Sequence, residues 1–61
     1  MMNFIELHDT DNKPIFINTA SIACIERYEE GSCVRLIVYD GNNMPYTKYV
    51  MESYDTIKNM L

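Results

Sequence analysis

Apolar and polar residues alternate with a period of two through most of the first fifty positions, and clusters of Asp, Asn, Gly and Pro interrupt the alternation after each short run. Such a pattern builds half-buried antiparallel strands joined by tight turns and leaves little room for long helices. Five strands are predicted. The first covers Phe4 to His8 and the second Pro14 to Asn18, separated by Asp9-Thr10-Asp11-Asn12-Lys13, whose Asp and Asn side chains bond their own backbone in turns. An odd-length loop sets Ile5 opposite Ile17 and Leu7 opposite Ile15, four aliphatic side chains on one face. Asn18 to Ser21 reads as a turn or a single helical turn. The third strand is Ile22 to Tyr28, and Glu29-Glu30-Gly31-Ser32 is expected to turn the chain into the fourth, Cys33 to Tyr39, with Gly31 at positive φ.

That hairpin pairs Tyr28 with Cys33, Glu26 with Arg35, Ile25 with Leu36 and Ala23 with Val38. One face then holds Ala23, Ile25, Val34, Leu36 and Val38 together with Arg27, and the other Ile22, Cys24, Glu26, Tyr28, Cys33, Arg35, Ile37 and Tyr39. After Asp40 to Pro45, dense in turn formers, a fifth strand runs from about Tyr46 to Met51, with Tyr46 and Val50 expected beside the second face. The period then changes. Ser53 can cap a helix over about 53–61, with Asp55 in its first turn and an apolar stripe of Tyr54, Ile57, Met60 and Leu61. The expectation is therefore a mainly β (α+β) fold: a five-stranded antiparallel meander or small open barrel with one short C-terminal helix, as a single domain over residues 1–61. No internal repeat or linker stands out, and Met1 and Met2 in tandem offer two candidate starts.

With 61 residues, burial of roughly 6,300 Å² contributes on the order of 90 kcal/mol, and ordering the chain costs about the same. Such a chain needs efficient packing or a partner subunit. Nine acidic against five basic residues give a net charge of −4, which opposes attraction to phosphate backbones and makes nucleic acid a poor partner. No apolar run approaches the ~20 residues of a spanning helix, so a cytoplasmic address is expected.

The order of these elements, with Asn18, Ile22, Ile25, Glu26, Gly41, Glu52 and Ser53 at turn, strand and cap positions, resembles that of the small FlbD-like bacterial proteins over nearly the whole chain. The resemblance implies the β-hairpin fold and a link to flagellar and swarming function without enzymatic activity; similar small proteins of unknown role occur outside motile bacteria and in mobile elements. The strand-turn-strand-helix order also looks like the core of LytTR-type DNA-binding domains. Arg27, Arg35 and Lys48 could make a small basic spot, but several such contacts are needed and the overall charge opposes them.

No reaction centre is legible. Cys24 and Cys33, four positions out of register in the expected hairpin, sit about 13 Å apart and are read as reduced, packed thiols. His8 is read as a strand-end surface residue; it could activate a cysteine only if the first strand lay over the cysteine face. His8, Asp9 and Asp11 lack the glycine and terminal glutamate of a calcium loop and read as a solvated turn. No metal, cofactor or catalytic residue is expected. What stands out is a sheet with two apolar faces and a single short helix to cover them. The second face, with Tyr28, Arg35, Ile37, Tyr39 and Tyr46 at the contact and Glu26 holding Arg35, is the candidate interface of a homo-oligomeric protein-interaction module, since tyrosines supply apolar area and a hydroxyl at the rim. The second reading is a compact inhibitor of the kind mobile elements encode, or a protein sequestering a small, nucleotide-like ligand.

Overall fold

The computed structural model describes residues 3–61; the tandem Met1-Met2 lies outside them. The chain is mainly β: β1 (Phe4–His8), β2 (Pro14–Asn18), a 3₁₀ turn (Thr19–Ser21), β3 (Ile22–Tyr28), β4 (Gly31–Tyr39), β5 (Pro45–Val50) and α1 (Tyr54–Met60). All pairings are antiparallel, in two sheets ordered β1-β2 and β3-β4-β5. The expected single meander is thus divided, because β2 and β3 are joined through the 3₁₀ turn and do not pair. Among the described residues the strands close no barrel. No helix among them is long and apolar enough to cross a membrane.

The two sheets face each other across one core. Ile5, Leu7, Ile15 and Ile17 come from the first sheet, in the expected register of Ile5 opposite Ile17 and Leu7 opposite Ile15. Ile22, Ile25, Val34, Leu36 and Val50 come from the second, and Ile57 of α1 completes the cluster. Ser53 caps α1 as expected, its Oγ accepting from the Thr56 backbone N–H at 3.2 Å. Only Ile57 of the apolar stripe is fully buried, while Met60 and Leu61 stay exposed. Arg27 ties the helix to β3: its guanidinium lies 4.3 Å from the centre of the Tyr54 ring and 3.5 Å from Asp55.

A turn motif recurs where no repeat was expected. Asp-x-x-Asn-x-Pro occurs at Asp9–Pro14 and again at Asp40–Pro45. In each copy the Asp carboxylate accepts two backbone N–H groups, from Asp11 and Lys13 and from Asn42 and Met44. The Asn takes positive φ, 63° at Asn12 and 61° at Asn43, a region Asn enters more readily than most side chains. The proline closes the hairpin, opposite His8 in one copy and Tyr39 in the other.

The β3–β4 hairpin departs from expectation. Tyr28 pairs with Gly31, Glu26 with Cys33, Ile25 with Val34 and Cys24 with Arg35. The loop is only Glu29-Glu30, and Glu29, at φ 53°, takes the left-handed conformation expected of Gly31. Gly31 belongs to β4, and its backbone lies so close to Val50 that a Cβ there would overlap the Val50 carbonyl oxygen. Close approach, rather than turn geometry, is what requires glycine at this position. A second departure is a bulge between Ile22 and Cys24, which pairs Ile22 with Leu36 and turns its side chain into the core.

Candidate functional site: the outer face of the three-stranded sheet

Alternation along β3, β4 and β5 fixes the composition of the face turned away from the core. It carries Cys24, Glu26 and Tyr28 from β3, Cys33, Arg35, Ile37 and Tyr39 from β4, and Thr47 and Tyr49 from β5. Tyr28, Tyr39, Tyr49 and Ile37 are exposed large apolar groups, Ile37 at 58% and Tyr39 at 64%. The Tyr28 and Tyr49 rings pack with centroids 4.8 Å apart and planes tilted by 49°. Cys33, opposite Tyr49 in the ladder, is buried among them.

Five of the six residues expected at the interface share this face: Glu26, Tyr28, Arg35, Ile37 and Tyr39. Tyr46 does not. It falls on the same side of β5 as Lys48 and Val50, with the Lys48 ammonium 5.3 Å from the centre of its ring. Val50 is a core residue, 3% exposed, rather than a neighbour of the second face. The tyrosine that β5 does contribute is Tyr49. Its parity opposite to that of Val50 places it there, and this shows only once Val50 is seen to be buried.

Glu26 and Arg35 form an ion pair of 3.2 Å. The shortened loop makes it a diagonal contact, since Glu26 stands opposite Cys33 and Arg35 opposite Cys24. The Glu26 carboxylate, chief among the neighbours, favours the charged guanidinium and raises the Arg35 pKa further. The same register puts Cys24 and Cys33 two positions apart instead of four, and both thiols are free.

The basic spot does not assemble. Arg27 points to the core side, bound to Asp55 and Tyr54, whereas Arg35 lies on the opposite face with Glu26. At the hairpin end, an open cleft is lined by Thr10, Tyr28, Glu29, Glu30, Tyr49 and Met51. Its two carboxylates oppose a phosphate-bearing ligand.

His8 has a role its sequence position did not suggest. Its Nδ1–H donates to Glu52 Oε2 at 2.7 Å and its backbone N–H donates to Oε1 at 2.9 Å. The His8 carbonyl accepts from Met51 N–H at 2.8 Å, and Asp9 bridges to Val50. The buried Ser32 hydroxyl donates to the Glu52 carbonyl at 2.8 Å. Together these bonds form the seam that joins the two sheets. They do not assemble a nucleophile: the Ser32 hydroxyl is committed to a carbonyl, and β1 packs on the core side, away from both cysteines. Asp9 likewise spends one carboxylate oxygen on the backbone of its own turn.

The seam is pH-sensitive. The Glu52 hydrogen bond is the main cause that raises the His8 pKa above the ordinary 6.5. Burial pushes Glu52 up, but its bonds from His8 outweigh this and leave it below the ordinary 4.5. The raised imidazole stabilises the fold fully below pH 6.5, and its contribution is lost as pH rises through the higher folded value. The lowered carboxylate stabilises the fold above pH 4.5, and its contribution is lost as pH falls through the folded value. Urea midpoints should therefore be highest between these limits and decline on the alkaline side, a decline that His8→Gln removes. A wild-type midpoint higher at pH 8 than at pH 5.5 would contradict the assignment.

No protein-family model, curated protein or solved structure matches the chain.

Proposed function

We propose that this chain is a non-enzymatic, FlbD-like interaction module that self-associates through the outer face of β3-β4-β5. The observation that carries the reading is the cluster of Tyr28, Tyr49, Ile37 and Tyr39 around an ion pair, all exposed on a sheet whose other face is already occupied by the core. An apolar patch of this kind, rimmed by polar groups, marks an interaction surface. The core supplies little stability beyond what the fold itself needs, with Leu7, Ile17, Val34, Val50 and Ile57 as its fully buried apolar cluster. Two free thiols suit a reducing cytoplasm. Two of the positions on which the FlbD-like resemblance rests have local structural roles: Ser53 caps α1, and Asn18 accepts the Ala20 N–H at the 3₁₀ turn.

Light scattering on Ile37→Glu tests the reading. Placing a charge within the patch, where the side chain is 58% exposed in the single chain, should leave the fold intact and reduce the assembly to monomers. An unchanged assembly mass would reject the outer face as the contact.

A further inference from the structure

We infer that the occupant of the outer face is a second copy of this chain, docked about a two-fold axis so that Glu26 of each copy pairs with Arg35 of the other. The inference rests on the self-association proposed above and specifies its geometry.

Three features of the surface select a second copy. Outside the Glu26–Arg35 pair the chain carries four cations and eight anions, so most of its surface repels a copy of itself. The strand residues of the outer face are the exception, with one charge of each sign among otherwise uncharged, largely aromatic and apolar side chains; Glu29 and Glu30 lie beyond them, at the hairpin end. In an isologous contact each patch meets itself, so a patch holding one cation and one anion side by side is self-complementary once the two are exchanged across the axis. A two-fold axis in the plane of the interface, passing midway between the two side chains, makes that exchange. It sets each guanidinium against a carboxylate of the other copy and carries the Ile37 end of one face toward the Tyr28 end of the other.

The area is sufficient. Three half-exposed tyrosines, Ile37 and the ion pair offer on the order of 700 Å², close to the ~800 Å² per partner of a standard interface. The pair is also well suited to exchange, because within one chain it is a single 3.2 Å contact between two half-exposed side chains rather than a closed bidentate fork.

Charge swapping tests the geometry. Glu26→Arg leaves two cations on the face and Arg35→Glu leaves two anions, so each variant alone should self-associate at least about tenfold more weakly than wild type, like charges being set against each other. An equimolar mixture of the two should assemble as a heterodimer, and the double variant E26R/R35E should recover the homodimer, all read by sedimentation velocity with circular dichroism to confirm folding. Single variants that assemble like wild type would overturn the crossed pairing while leaving outer-face association standing. So would a mixture that stays monomeric. A wild-type chain that is itself monomeric would overturn both.

Discussion

Gly31→Ala is expected to lower the melting temperature by more than about 10 °C, whereas Gly41→Ala should move it by no more than a few degrees. The added methyl at Gly31 would overlap the Val50 carbonyl oxygen and lie 3.2 Å from its carbon and 3.3 Å from the Met51 Cα. All three are backbone atoms, so no rotamer change relieves the overlap and β5 must move away from β4. The displaced segment carries the seam, since Met51 N–H donates to His8 and Val50 bridges to Asp9. Overpacking of this kind costs about 3 kcal/mol at the upper end of its usual range, and a domain of this size holds only about 3–5 kcal/mol in all. Gly41 has no atom within 4 Å of its would-be Cβ and no positive φ, so alanine is accommodated there. Matching melting curves for Gly31→Ala and wild type would show that the close approach of β5 is not required.

Leu7→Ala should abolish cooperative unfolding at 25 °C. Leu7 is 0% exposed and is the deepest side chain that the first sheet contributes to the core. Removing three carbons from a site walled by two sheets costs about 2–5 kcal/mol, because neighbours anchored in separate hydrogen-bonded sheets cannot collapse into the space. Against so small a total stability, the loss is decisive. Phe16→Ser is the matched control: Phe16 is 69% exposed and stacks on Phe4, with ring centroids 5.0 Å apart, so its loss should be mild. Thermal melts followed by far-UV circular dichroism distinguish the two, and a sharp, wild-type-like transition for Leu7→Ala would contradict the core described above.

What could be read from the sequence follows the range of the interactions involved. The β1–β2 register was legible because, of the alignments a short loop allows, the one with Ile5 opposite Ile17 keeps four aliphatic side chains on one face, whereas a shift by one mixes them with Phe16 and Glu6. The cap at Ser53 was legible because capping is settled within three residues. The β3–β4 register was not, although its loop is equally local: Gly31 looked like a turn glycine, and its true requirement comes from Val50, a strand away. That one misassignment shifted every pair in the hairpin. The bulge that turns Ile22 inward answers to Leu36 and the helix side of the core, not to its own neighbours. The face assigned to Tyr46 depended on how β5 meets the ladder, which the Cys33–Tyr49 and Arg35–Thr47 pairs and the burial of Val50 settle; the ladder is irregular between Arg35 and Tyr39, where Pro45 pairs. The His8–Glu52 seam spans 44 positions. Neither residue has a pattern around it that names the other, so it becomes visible only once both sheets are in place.

For the candidate interface, side-chain alternation was enough to collect Glu26, Tyr28, Arg35, Ile37 and Tyr39 on one side, because a register error of two residues leaves parity unchanged. The exchange of Tyr46 for Tyr49 is a displacement of three residues, an odd number, which reverses it.

Sedimentation equilibrium of the unmodified chain, from low micromolar to millimolar concentration, tests the central claim most directly. An apparent mass climbing from 7.2 kDa toward twice that value is the predicted result. A mass that holds at 7.2 kDa across the whole range, with the chain fully folded, would mean that the tyrosine-rich face stays bare in solution and that self-association is not what this protein does.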